Sequence, residues 1–210
     1  MTRVVKKPDV RRKEIIEAAR HLFLTKEYDK TSMQSIVDYL DIAKGTIYHY
    51  FKSKEELLEA VVEDIVEEDH LRKKELLKEM KGNALEKIQK LANVKSIASS
   101  HEDILENLHQ PANIEMHIRL LAAAVIKEAS LYCEFIKQGC KEKLFKTEHP
   151  LECAEFMLSG IQFLTDVGIH PWKDEDLSRR IQAFPQLIES LLKAPKGSFQ
   201  FLIPRLEQAK

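Results

Sequence analysis

Thr31-Ser32-Met33-Gln34-Ser35-Ile36-Val37-Asp38-Tyr39-Leu40-Asp41-Ile42-Ala43-Lys44-Gly45-Thr46-Ile47-Tyr48-His49-Tyr50 decides the fold of this 210-residue chain. It opens with a side-chain oxygen at Thr31 and an amide three places on at Gln34, the pattern by which a helix start satisfies its orphan amides. A short helix follows to about Leu40, Asp41-Ile42-Ala43 interrupts it, and Lys44 to Tyr50 forms another. Upstream, Val10, Ile15, Ile16, Ala18, Ala19, Leu22 and Phe23 recur at the spacing of one helix face, which predicts a helix from Asp9 to about Lys26. Three short helices with only three residues between the second and third are the helix-turn-helix arrangement. That geometry carries the last helix into a DNA major groove about 12 Å wide while its neighbour crosses the backbone. The residues of that helix suit the task. Gly45 permits close backbone approach, Thr46 offers a hydroxyl and a methyl, Lys44 offers a cation, and Tyr48, His49 and Tyr50 can donate hydrogen bonds to phosphates.

The composition agrees with an all-α chain. Six glycines and seven prolines in 210 residues are too few to punctuate a many-stranded β protein. Hydrophobic residues at 44% and charged residues at 32% are globular values. The formal charge of −1 conceals an asymmetry. Residues 1–54 hold 12 Lys and Arg against 7 Asp and Glu, a net of +5, which leaves 21 against 27, or −6, for residues 55–210. A basic head joined to an acidic body suits a chain of which one part meets nucleic acid, although solvated helix faces also produce modest splits.

The run Arg12-Lys13-Glu14-Ile15-Ile16-Glu17-Ala18-Ala19, continued by Leu22-Phe23, Tyr28, Thr31-Ser32-Met33, Ile36 and Gly45 through Leu58, resembles the DNA-binding head of the TetR/AcrR family of bacterial transcriptional regulators. The match spans roughly 45 positions with several fixed spacings, far more specific than a lone short motif. It departs from the family pattern at three places. Glu27 stands where glycine is usual before the tyrosine, Asp41 where glycine is usual in the turn, and Ala43 where serine often caps the recognition helix. Asp tolerates left-handed backbone better than most residues, and the missing cap costs about 0.5 to 2 kcal/mol. The resemblance implies phosphate contacts from Thr31, Lys44, Tyr48, Tyr50 and Lys54, and base-edge readers at Gly45, Thr46 and His49. Each has a plainer reading: Thr31 as only a cap, Tyr48 as packing within the three-helix core, Lys52 and Lys54 as solvated cations. Arg3, Lys6 and Lys7 read either as an arm on the DNA or as a frayed terminus.

By the same resemblance, residues 1–54 are the DNA-binding domain and residues 55–210 a larger helical domain that binds a small-molecule effector and forms a homodimer. Ser53-Lys54-Glu55-Glu56 repeats the capping pattern and starts a helix free of Gly and Pro until Gly82. Gly82-Asn83, with Glu86 three residues on, marks a stop and a new start. Further helices are expected at about 84–98, 101–109, 113–145, 150–168 and 174–193. Pro185 should kink or divide the last of these. The tail from Ser198 to Pro204 alternates weakly and reads as a short extended piece or a docking arm. In the family, the last two long helices make the dimer; here Phe156, Leu158, Gly160, Ile161, Leu164, Leu187, Ile188, Leu191 and Leu192 are the candidates, some of which would face their own core. Candidate effector contacts are His109, Met116, His117, Leu120, Phe135, Phe156, Phe163 and Trp172, all types that serve equally as ordinary packing.

Other function classes find little footing. None of the six glycines are spaced for a dinucleotide or nucleotide-phosphate loop. His101-Glu102 lacks a second histidine at position 105, which is Leu105, so the zinc-protease helix is absent. No cofactor, metal set or catalytic constellation is expected. Cys133, Cys140 and Cys153 are too few, and odd in number, for a disulfide framework; they suit a reducing, cytoplasmic setting, with Cys133 and Cys140 read as buried thiols in preference to a redox or metal pair. No apolar run of about 18 residues predicts a membrane span. The alternative from another class is a helical ligand-binding or protein-interaction module that has lost DNA recognition.

Overall fold

The computed structural model describes residues 7–94 and 108–207, and every regular element among them is helical. The head comprises α1 (Pro8–Lys26), α2 (Met33–Leu40) and α3 (Lys44–Tyr50). Pro8 opens α1, where a missing amide hydrogen costs nothing, and Ile15, Ile16, Ala18, Ala19, Leu22 and Phe23 are buried as their spacing requires. Val10 shares that spacing but lies a turn short of the core and is exposed.

The start of α2 falls one residue later than the Thr31–Gln34 pattern suggests. Ser32 is the N-cap, its hydroxyl accepting from the Ser35 amide, while the Ser35 hydroxyl accepts from the Ser32 amide. Thr31 is only 2% exposed, and its hydroxyl points back at the Glu27 carbonyl, 2.8 Å away. Sequence pattern alone does not separate two adjacent hydroxyl residues; burial of one does. Asp41 ends α2 in the left-handed conformation (φ 49°, ψ 49°) and turns the chain into α3. Ala43 precedes α3 without a side-chain cap.

The body begins with α4 (Lys54–Lys78), capped by Ser53, and continues with α5 (Ala84–Ala92), started by a reciprocal Asn83–Glu86 box. Helix α5 stops at Ala92, capped at Asn93, short of the end expected at about residue 98; residues 95–107, including most of the helix expected at 101–109, lie outside the described residues, as do Arg3 and Lys6. A single 3-10 turn (Pro111–Asn113) leads into α6 (Ile114–Lys141), followed by α7 (Pro150–Thr165) and α8 (Asp174–Leu192). Pro185 does not divide α8, which continues through it as one helix. The tail is neither extended nor free: it turns and forms α9 (Leu202–Glu207), with Phe199 fully buried and its amide donated to the buried Glu189 carboxylate at 3.1 Å. Among the described residues no helix is long and apolar enough to cross a membrane.

Two hydrophobic cores result. The first runs from the head through Leu57, Leu58, Val61, Ile65 and Val66 of α4 to Leu108 and to Met116 and Leu120 of α6. The second gathers α5, the later turns of α6, α7, α8 and the tail. Helices α4 and α6 pass through or beside both, and they are laced together by Arg119–Glu59 (3.1 Å), Lys127–Glu67 (2.6 Å) and a Lys73–Glu128 pair. Lys73 is 4% exposed and also bonds Asp69 at 2.9 Å, so this last pair is a buried ionic knot.

Candidate nucleic-acid interface

Helix α3 has one inward and one outward edge. Ile47 is fully buried and Phe51, just beyond the helix, nearly so; Tyr50 is half-buried against the same core. Because a helix repeats every 3.6 residues, fixing Ile47 inward turns Gly45 and His49 outward; both are exposed, as are Tyr48 at the flank and Lys44 at the helix start, while Thr46 is half-buried at the margin. Lys44 Nζ sits 5.9 Å from the centre of the Tyr48 ring, and the His49 and Tyr50 rings meet edge to face at 5.0 Å.

Gly45 is the informative residue of this edge. A Cβ built there meets nothing within 4 Å, and the backbone is helical. Glycine in a helix costs about 0.5 to 1 kcal/mol relative to alanine. Nothing among the described residues explains that cost, whereas a surface pressed closely against this turn from outside would.

Two residues expected at the DNA backbone are engaged internally. Thr31 is buried as described, so its hydroxyl serves the α1–α2 corner and is not a surface donor. Lys54 is half-buried: Nζ donates to the Tyr28 carbonyl at 2.7 Å and lies 3.9 Å from the centre of the Tyr28 ring. Burial lowers the Lys54 ammonium below the ordinary lysine range despite nearby Asp29, Glu55 and Glu115, and burial likewise pushes Tyr28 up to about 12. Lys44 and Lys52 are the exposed cations beside the recognition helix. The Lys54 tie joins residues 26 apart in the chain with no motif between them, so only the fold reveals it.

The same corner touches the body. The Tyr28 amide donates to Asn113 Oδ1 and the Asp29 amide to the Ala112 carbonyl at 3.2 Å, so the turn before α6 is hydrogen-bonded directly to the head. Arg20 of α1 adds an ion pair to Glu68 of α4 at 2.7 Å.

The candidate dimer residues separate by burial. Leu158, Ile161, Ile188 and Leu192 are buried in the second core and are not available to a partner; Leu191 is half-buried against the same core. Phe156 (72% exposed), Leu164 and Leu187 (60%) face outward. Gly160 stands between α7 and α8, its would-be Cβ 3.9 Å from Phe184. Helix α7 carries Phe156 and Leu164 off its buried stripe, so spacing alone could not sort its residues, whereas in α8 the buried Leu177, Ile181, Phe184, Ile188 and Leu192 form one regular stripe from which Leu187 is turned away.

The candidate effector residues do not form one cavity. Met116 and Leu120 belong to the first core, Phe135 to the second with Trp172 at its margin, and Phe156 and Phe163 are exposed. Trp172 is covered by the Arg180 guanidinium 3.5 Å from its ring centre. His109 and His117 do converge, with ring centres 5.1 Å apart, and Asp166 joins them. An open, polar depression lined by Gln186, Glu189, Ser190, Lys193, Ala194 and Lys196 includes none of the candidates. The Asp166 contact was missed in the sequence because 49 residues separate it from His117, with no motif between them.

Comparison with known proteins follows the same division of the chain. Residues 15–61 match the family model described as bacterial regulatory proteins, tetR family, and residues 95–187 match that described as tetracyclin repressor-like, C-terminal domain. The HTH-type transcriptional repressor KstR2 of Mycobacterium tuberculosis is 23% identical over 152 residues, covering 70% of this chain and 76% of its own. The HTH-type regulator YfiR of Bacillus subtilis is 29% identical over 100 residues, 48% of this chain and 42% of its own. Among solved structures, a TetR-family regulator from Pectobacterium atrosepticum aligns with a TM-score of 0.65 at 19% identity, over 91% of this chain and all of that one (100%). The fatty acid degradation regulator FadR of Bacillus halodurans aligns with a TM-score of 0.59 at 18% identity, over 90% and 96% of the two chains. These structural likenesses establish a shared fold.

Proposed function

The chain belongs to the TetR family of bacterial regulatory proteins, non-enzymatic DNA-binding regulators, and from that premise we propose that it acts as a homodimeric repressor released from its operator by a small molecule. The two α3 helices enter successive major grooves, with half-sites about 34–36 Å apart. Gly45, Thr46 and His49 meet base edges; Lys44, Tyr48, Tyr50 and Lys52 meet phosphates. The observation that carries this reading is the outward edge of α3: a helix with a glycine its own fold does not need, flanked by exposed Lys44, Tyr48 and His49. The functional division stays at residue 54, although the first core crosses it and thereby ties the head to the body.

The dimer is assigned to the exposed residues Phe156, Leu164 and Leu187 of α7 and α8. An effector relaxes repression only by binding the non-DNA arrangement more tightly than the DNA-bound one. The direct hydrogen bonds from Tyr28 and Asp29 to the turn before α6 give such a difference a short route to the head.

The test is salt-dependent binding to the DNA upstream of the protein's own gene, read by fluorescence anisotropy. Lys44 and Lys52 in both subunits make four phosphate contacts, for which the slope of log K against log salt is about −3.6. Lys44→Ala should weaken binding to all sequences alike and flatten that slope, while Thr46→Ala should change the preference among operator variants. No specific binding even at low salt would overturn the reading in favour of a helical module without DNA recognition.

A further inference from the structure

His109, His117 and Asp166 come from three separate places: the residues before the 3-10 turn, the first turn of α6, and the C-terminal end of α7. One donor atom from each lies within 4.8 Å of the others. Asp166 Oδ2 is 2.9 Å from His117 Nε2, and Asp166 Oδ1 is 3.9 Å from His109 Nε2. Ligands about 2.1 Å from a tetrahedral ion stand about 3.4 Å from one another, so these two separations bracket the spacing such an ion requires.

The surroundings are built to hold the three groups. Asp166 Oδ1 accepts the Ile169 amide at 3.0 Å, and the Asp166 carbonyl accepts the His170 amide at 2.9 Å, which folds the 166–170 loop around the carboxylate. A Cβ on Gly168 would fall 2.5 Å from His109 Cδ2 and 2.8 Å from its Cγ, so the glycine makes room for the imidazole. His117 is 4% exposed, yet its Nδ1 has no hydrogen-bond partner among the described residues. The C-terminal end of α7 adds a helix dipole favourable to a cation.

We propose that His109, His117 and Asp166 form a binding site for one divalent transition-metal ion of the Zn2+ class. Two imidazole nitrogens and one carboxylate oxygen are a borderline donor set that suits zinc or its neighbours; magnesium and calcium demand six or more oxygens. The ion takes the place of the proton in the His117–Asp166 hydrogen bond. Three protein ligands leave a fourth position for water or an added donor. Zinc here would span α6 and α7 four residues from the turn that Tyr28 and Asp29 grip, and thus brace the body where it meets the head.

The experiment uses the untagged full chain stripped with chelator and titrated with Co2+, then Zn2+. One Co2+ per chain should bind, with the visible absorption of a four- or five-coordinate nitrogen and oxygen site, and Zn2+ should bleach it. His109→Ala, at a half-buried position that the fold tolerates better than loss of the buried His117, should weaken Co2+ binding at least about 100-fold. Gly168→Ala, which keeps all three ligands but displaces the His109 ring, should weaken it about 10-fold or more. Absence of saturable Co2+ absorption, or saturable absorption unchanged in both folded variants, overturns the proposal. Metal binding is read without DNA, so its outcome is independent of the operator assay.

Discussion

Glu27 holds backbone that suits glycine, with φ 68° and ψ 145° just after α1. A side chain there costs about 1 to 3 kcal/mol of local strain, against which its 2.6 Å ion pair with Lys30, whose ammonium is largely exposed, returns little. Glu27→Gly removes the strain and adds unfolded-state freedom worth about 0.5 to 1 kcal/mol. The net expectation is stabilisation of about 1 kcal/mol, a rise in Tm of about 2 to 4 °C, measured by thermal circular dichroism. Ala43 offers a second test, because α3 starts without a side-chain cap. Ala43→Ser should stabilise by about 1 kcal/mol in denaturant titration; an unchanged midpoint would show that the cap site is satisfied otherwise. Both departures were readable from sequence, since a backbone conformation follows from which residue types avoid it. The inward tie of Lys54 was not readable, because a lysine at the start of a helix has the same sequence signature whether its ammonium meets phosphate or the Tyr28 ring.

Elements pair through charges as well as apolar surface, and the buried knot between α4 and α6 is where this matters most. Lys73 is held between Asp69 and Glu128, all three at least largely withdrawn from water. Lys73→Met keeps most of the apolar stem but removes the cation that Asp69 and Glu128 share, although Asp69 keeps its 2.8 Å pair with Arg72. Such a loss costs about 3 to 5 kcal/mol, which urea unfolding followed at 222 nm would measure. Removing all three charges together should recover most of that loss, since a buried ion pair is often no better than apolar side chains of the same volume. Helix existence and boundaries were legible here from caps and spacing: Ser53, Asn83 and Pro150 all open helices where their patterns place them. Partner choice between helices was not, because α7 carries apolar residues off its buried stripe as well as on it, and only packing distinguishes Leu158 from Phe156.

At the scale of the whole molecule, the exposed Phe156 and Leu187 rank among the most exposed large apolar side chains described. If they form the dimer seam, Phe156→Glu combined with Leu187→Glu places charge at its centre and should shift the protein to monomer in size-exclusion chromatography with light scattering, with helical content unchanged. Operator retention should fall with it, because one head alone spans a single half-site. A dimer that persists in the double variant would move the seam elsewhere. The binding chemistry was legible only at the DNA end, where a contiguous motif fixes geometry. In the body it depends on residues as distant as His109 and Asp166, which chain folding alone brings together.

The two edges of α3 answer to different pressures. Ile47 and Phe51 secure the helix to the head, whereas Gly45, Thr46 and His49 include no fully buried side chain. Substitutions on the outer edge are therefore nearly invisible to selection for folding, and those on the inner edge nearly invisible to selection for operator choice. A seven-residue helix divided in this way lets a lineage acquire new target sequences by drift without first gaining surplus stability.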